Sequence, residues 1–132
     1  MSPTRLSRLE SSMRIVLEFN EAFNRHDIPG MVARMSDDCI FEDPAHVPDG
    51  KKYTGKEAIS HYWEAFFRQS PQARMEIEEI FGMGLRCVLR WRCTRDKDDG
   101  SIGYIRGVDL FQLRDGAISE QLSYVKGLYD HE

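Results

Sequence analysis

The sequence predicts an α+β fold: one cone-shaped domain in which three N-terminal helices pack on a curved, mostly antiparallel sheet. Three observations carry that prediction. In the first half, apolar residues recur at helical spacing in three segments. In the second half they alternate, in four segments separated by Gly- and Asp-containing turns. One more strand-like segment, Cys39–Asp43, falls between the second and third helices. The chain has 132 residues and no internal repeat, so it makes one domain. That length supports a single core without staples.

Residues 1 to about 10 carry charge and serine, with a weak helical pattern at Leu6, Leu9 and Met13, and predict a frayed start. From about Ser12 to Arg25, residues Ile15, Val16, Leu17, Phe19, Ala22 and Phe23 make an apolar stripe. The stripe is too wide for a surface helix, so this helix is expected to be largely buried. Asp27 reads as the next N-cap, with Pro29 tolerated in the first turn. Ile28, Met31, Val32 and Met35 then fall at i, i+3, i+4 and i+7, the mark of a short helix packed by one face. Ser36-Asp37-Asp38 breaks it.

In Cys39–Asp43, Ile40 and Phe41 supply β propensity and Pro44 ends the strand. Residues 44–53 contain Pro48, Asp49 and Gly50 and read as a loop. Thr54-Gly55-Lys56-Glu57 has the form of a capping box. It opens a third helix that Ser70-Pro71 stops after Gln69, with Ile59, Tyr62, Trp63 and Phe66 on its apolar face. Segments 73–81, 85–95, 101–114 and 117–126 read as strands, and Asp115-Gly116 is a hairpin signal between the last two.

The bulk composition narrows the function classes. A net charge of −4 argues against a nucleic-acid partner, although Lys and Arg total 18. Only Arg86, Arg90, Arg92 and Arg95 cluster. No apolar run reaches the length of a membrane span and no signal-peptide core is present, so a cytoplasmic protein without a membrane partner is expected. The cysteines are Cys39, Cys87 and Cys93, an odd number with no C-x-x-C. Cys87 and Cys93 share a predicted strand and lie about 20 Å apart at strand rise, too far to pair. Each reads as a small buried hydrophobe.

Two acids stand out. Alternation places Cys39, Phe41 and Asp43 on one face of their strand. In 107–113 one parity is Gly107, Asp109, Phe111 and Leu113. An acid at the end of an apolar face, lining a closed interior, is suited to proton chemistry. The plainer reading of Asp43 is a turn cap before Pro44. Helices over a curved sheet enclose an apolar interior, a natural site for a small hydrophobic molecule. Its expected walls are Phe19 and Phe23 from the first helix, Phe41 from the first strand, and Tyr62, Trp63 and Phe66 from the third helix. Trp91 and Phe111 from the later strands complete them.

Element order and motifs together resemble the nuclear transport factor 2-like superfamily, with its SnoaL-like domains. The motifs are Phe19-Asn20-Glu21-Ala22-Phe23-Asn24-Arg25-His26-Asp27, Phe41-Glu42-Asp43-Pro44 and Tyr53-Thr54-Gly55-Lys56-Glu57-Ala58-Ile59. The last are Arg106-Gly107-Val108-Asp109-Leu110-Phe111 and Arg114-Asp115-Gly116-Ala117-Ile118. The resemblance covers about residues 12–127, nearly the whole chain, which it implies as the core of the domain. It leaves the activity open, because the fold hosts enzymes, binding modules and assembly subunits. Within the superfamily the motifs look most like ketosteroid isomerase. That resemblance implies Asp43 as a base that moves a proton between carbons, and Asp109 as a neutral donor in an oxyanion hole. It also implies a homodimer paired through the sheet.

The chain departs from the isomerase at the first helix, where Phe19 stands in place of the tyrosine that is the main oxyanion donor. Losing one such donor typically costs about a hundredfold to a thousandfold in rate. Tyr62, Trp63, Tyr104 or Tyr124 are the replacements to consider, of which Tyr62 and Trp63 come from an inward face. A cyclase-like reading is a further alternative that fits worse, because the polyketide cyclases of the family place a His where this chain has Asp109 and an acid where it has Ser123. Epoxide hydrolases of this fold resemble the chain in outline only; they also place an Asp near Ser123, so their acid–base constellation is incomplete here.

The remaining polar residues read plainly. His46 is expected to be a solvated loop histidine, with a proton partner or metal ligand beside Asp43 as the sharper alternative. His61 with Glu57 and Glu64 is a solvated helix face. His26 is expected on the carbonyls that end the first helix. His131 is tail. Arg86, Arg90 and Arg92 mark a solvated or dimer-facing sheet surface. There is no Gly-rich phosphate loop, and neither cofactor nor metal is expected. The rival to an enzyme is a non-catalytic ligand-binding or dimeric assembly domain, in which Asp43 bonds backbone beyond Pro44.

Overall fold

A computed structural model describes residues 3–127, with side chains from residue 11 onward. His131 lies outside the described residues. The elements run α1 (Pro3–Asn24), α2 (Ile28–Ala33), β1 (Met35–Asp43), β2 (Lys51–Thr54) and α3 (Lys56–Gln69). They continue with β3 (Arg74–Met83), β4 (Arg86–Asp96), β5 (Ile102–Arg114) and β6 (Ala117–Lys126). The three helices pack on one face of a curved, unclosed six-stranded sheet in the order β2-β1-β6-β5-β4-β3. Only β1 and β6 pair in parallel; every other neighbour is antiparallel.

The helix–sheet interface is the core. Val16 and Phe23 from α1, Met31 from α2 and Ile59 from α3 meet Phe41, Leu89, Phe111 and Leu113 of the sheet, all buried. The three cysteines are free and buried among them. Burial pushes the Cys87 and Cys93 thiols up to about 11.

Helix α1 begins at Pro3, well before the expected Ser12. Its end is a left-handed cap at His26 (φ 55°), with Asp27 N–H on Ala22 O at 2.9 Å and His26 N–H on Phe23 O at 2.8 Å. The His26 ring does not turn back on these carbonyls as expected. It bonds Ala73 O at 2.8 Å and stacks on Phe67 at 4.1 Å, because the chain leading into β3 passes beside it. Asn24 ties the same helix end to the edge strand β3: its side chain donates to Met75 O at 2.9 Å and accepts from Met75 N–H at 2.7 Å.

Three further boundaries differ from the sequence expectation. Met35 belongs to β1 and not to the second helix, because it pairs with Ile118 of β6. The register then shifts before Ile40, so Ser36–Asp38 bulges from the strand where a break was expected. The 44–53 loop contains the start of β2, which pairs back on β1 from Ile40↔Thr54 to Asp43↔Lys51. That pairing puts Thr54 in a strand, so the capping box does not form. Gly55 is the N-cap of α3, and no side chain caps it.

Candidate active site

Asp43 closes β1 and is 1% exposed. After Pro44 the chain turns back, and Gly50 lets it return tightly. A Cβ on Gly50 would stand 2.2 Å from the Asp43 carbonyl oxygen, and its φ is +83°. The return delivers two partners to the carboxyl group. Lys51 N–H donates to Oδ1 at 3.2 Å. His46 Nδ1 lies 2.9 Å from Oδ2 and 3.1 Å from Oδ1. His46 is thus a partner of Asp43, where a solvated loop histidine was expected, although half its side chain remains in water. Among the described residues no three or more metal-ligating side chains gather.

Asp109 sits at the middle of β5, 3% exposed. Gln121 Nε2 donates to its Oδ2 at 2.9 Å, while Oδ1 has no hydrogen-bond partner among the described residues. Burial pushes the pKa of this carboxyl above the ordinary carboxylate range, with Ser123, Gln121 and Trp91 drawing it partly back. Trp91 acts on the carboxyl without completing a hydrogen bond, since its Nε1 has no partner among the described residues. The indole owes its position to Gly107, its cross-strand neighbour. A Cβ there would stand 2.4 Å from Trp91 Cζ2, so only glycine leaves room for the ring to lie over β5.

The sheet register relates the two acids. Ser123 pairs with Asp109 on β5, and on its other side the β1–β6 register runs Phe41↔Gln121 and Glu42↔Leu122. One step on sets Ser123 beside Asp43, so the row reads Asp43, Ser123, Asp109 across β1, β6 and β5. Tyr62 of α3 stands over this row. Burial first, and then the charge of Asp43, push its phenol far above the ordinary value. Its ring packs on Phe41 at 4.9 Å, Tyr53 at 5.0 Å and Trp63 at 4.9 Å.

Phe19, Phe23, Phe41, Trp63, Trp91 and Phe111 are buried on this inner side, while Tyr62 and Phe66 are partly buried. Phe19 meets Phe111 edge-on at 6.0 Å and offers no donor. Sequence reasoning missed Gln121 and Tyr53. Tyr53 was hidden by the missed strand β2. Gln121 was hidden by a register shift opposite Gln112 and Leu113, which leaves Ser119 unpaired and changes which parity of β6 faces inward.

The SnoaL-like domain family matches residues 16–121. The chain belongs to this family. It is similar to an NTF2-like protein of unknown function from Mesorhizobium loti, at 35% identity and TM-score 0.77, over 91% of this chain and 94% of that one. Two more distant structures share the fold. RV0760c from Mycobacterium tuberculosis, in complex with estradiol-17beta-hemisuccinate, is 24% identical over 86% of this chain and 92% of that one, with TM-score 0.76. TerC, co-crystallized with polyporic acid, is 18% identical over 88% of this chain and 92% of that one, with TM-score 0.79. No curated protein matches the chain.

Proposed function

We propose that this SnoaL-like domain binds a small hydrophobic carbonyl compound between helices and sheet and moves a proton between its carbons, as ketosteroid isomerase does. Asp43 is the base and Asp109 is a donor to the developing enolate oxygen. One observation carries this reading: two buried acids in one row have opposite surroundings. Asp43 has donors on both carboxylate oxygens, as an ionised base needs. Asp109 has one oxygen without a partner and a burial that favours its neutral form.

Tyr62 takes the part left vacant at Phe19. Burial, with Asp43 nearby, keeps its phenol protonated, so it can donate where Phe19 cannot. The two ligand-bearing neighbours support the substrate class, since each was crystallised with a largely carbon-framed molecule.

A β,γ-unsaturated ketosteroid, followed by ultraviolet absorbance of the conjugated enone, tests the proposal. Turnover is expected, and Asp43→Asn should lower it by about a hundredfold to ten-thousandfold. No turnover above buffer discards steroid isomerisation. The non-catalytic reading is favoured by one contact, the Lys51 N–H on Asp43, and it leaves His46 on the same carboxyl unexplained.

Pairing of two copies through the outer sheet face is part of the same proposal. The arginines there are engaged within the sheet: Arg90 with Glu78 at 3.4 Å and Glu79 at 3.2 Å, and Arg92 over Tyr104 at 3.9 Å. Exposed Tyr104 and Tyr124 would then carry the contact. Light scattering should read a dimer; a monomer overturns the pairing.

A further inference from the structure

Gln121 is an amide in an apolar layer. In the sheet register it lies between Phe41 of β1 and Phe111 of β5, and it is 2% exposed. Buried amides ordinarily use both ends. This one uses Nε2 on Asp109 Oδ2 at 2.9 Å and, among the described residues, leaves Oε1 without a partner. Among the described residues its side chain bonds Asp109 alone and ties no helix or loop to the sheet.

A neutral carboxyl has one carbonyl oxygen and one hydroxyl oxygen, and the carbonyl oxygen is the better acceptor. We propose that Gln121 is a positioning residue for Asp109: its N–H on Oδ2 makes that oxygen the carbonyl one and leaves the acid proton on Oδ1. Oδ1 has no hydrogen-bond partner among the described residues, so its proton is free for a ligand oxygen. The proposal rests on the reading of Asp109 as a neutral donor. It adds the residue that decides which oxygen donates.

The titratable groups that feel Asp109 come from two other elements. They are Tyr62 on α3 and Cys93 on β4, and burial holds both in the neutral form. Ser123 on β6 and Trp91 on β4 add polar contact without charge. Removing the Gln121 donor therefore acts on Asp109 directly.

Infrared difference spectroscopy of the whole protein tests this without any need for turnover. Native minus Asp109→Asn isolates the carbonyl stretch of the buried acid, which is then followed as pH is raised. In Gln121→Leu the stretch should move to higher wavenumber, because its carbonyl oxygen has lost a donor. The midpoint at which the band disappears should also move to higher pH, because an N–H that helped the anion is gone. An unchanged band and midpoint overturn the proposal. A midpoint moved to lower pH also overturns it, since Oε1 would then have been accepting the acid proton. Absence of any acid band in the native protein at neutral pH is a different failure: it removes Asp109 as a neutral donor altogether. Gln121→Met is run in parallel as an unbranched apolar replacement. If neither variant folds by far-ultraviolet circular dichroism, Gln121 is a structural residue and the proposal falls.

Discussion

Asp43 and Asp109 begin alike, as acids on apolar strand faces, and both end almost wholly buried, at 1% and 3% exposure. They differ in what reaches them. Asp43 lies at a strand end, and the next eight residues loop back to place His46 and Lys51 N–H on its carboxyl. Asp109 lies mid-strand, where no loop can reach, and its neighbours arrive across strands: Gln121 from β6 and Trp91 from β4. Burial alone therefore does not decide what a carboxyl can do; the partners that a turn or a register supplies decide it.

The strongest break in this contrast is Gly107→Ala. The new methyl would meet Trp91 Cζ2 at 2.4 Å and the Tyr124 carbonyl oxygen at 2.8 Å. Either the indole leaves β5 or the strands part, and overpacking of this kind costs about 1–3 kcal/mol. A urea midpoint should fall accordingly. The His46 ring resonances should stay put, since they report on the loop around Asp43. A neutral substitution would mean that Trp91 is free to move and does not define the surroundings of Asp109.

Asp109→Asn should do the reverse and stabilise the protein at neutral pH. Burial raises this carboxyl above its ordinary value, so the folded chain holds a proton that the unfolded chain has released. Where the folded state binds more protons, stability falls as pH rises. The native protein therefore loses stability from about pH 4 up through the raised folded pKa, and is level beyond it. The amide carries no such penalty. Thermal melts should find the two proteins close near pH 4 and the variant ahead at pH 7. A variant that melts lower at both pH values would show that Asp109 is held ionised by its neighbours.

Periodicity exposed most of the fold because helices and strands bury one face each. Phe41 with Asp43, and Phe111 with Asp109, lie inward as alternation requires. The aromatic stripe of α3 is where its spacing puts it. What stayed hidden depends on partners distant in sequence. Strand β2 is four largely exposed residues that exist because β1 offers an edge. Met35 reads as helical until Ile118 pairs with it. Gln121 faces inward only because Ser119 is left out of the ladder. The Asp43–His46 contact depends on the tight return at Gly50, a feature of backbone approach that no apolar pattern records.

The smallest expected effect is also the one that best tests how that loop matters. His46→Ala removes one donor from Asp43 and leaves the Lys51 N–H in place. A single hydrogen bond contributes about 0.5–1.5 kcal/mol, and the half-exposed ring puts this one toward the lower end. A double-mutant cycle with Asp43→Asn isolates the pair from whatever else each substitution disturbs. Coupling of about half a kcal/mol or more would make His46 a working partner of the buried acid. Coupling near zero would return it to the solvated loop histidine that its local sequence implies. Asp43 would then rest on a backbone N–H alone, as the non-catalytic reading requires, and the two acids would differ less than their surroundings indicate.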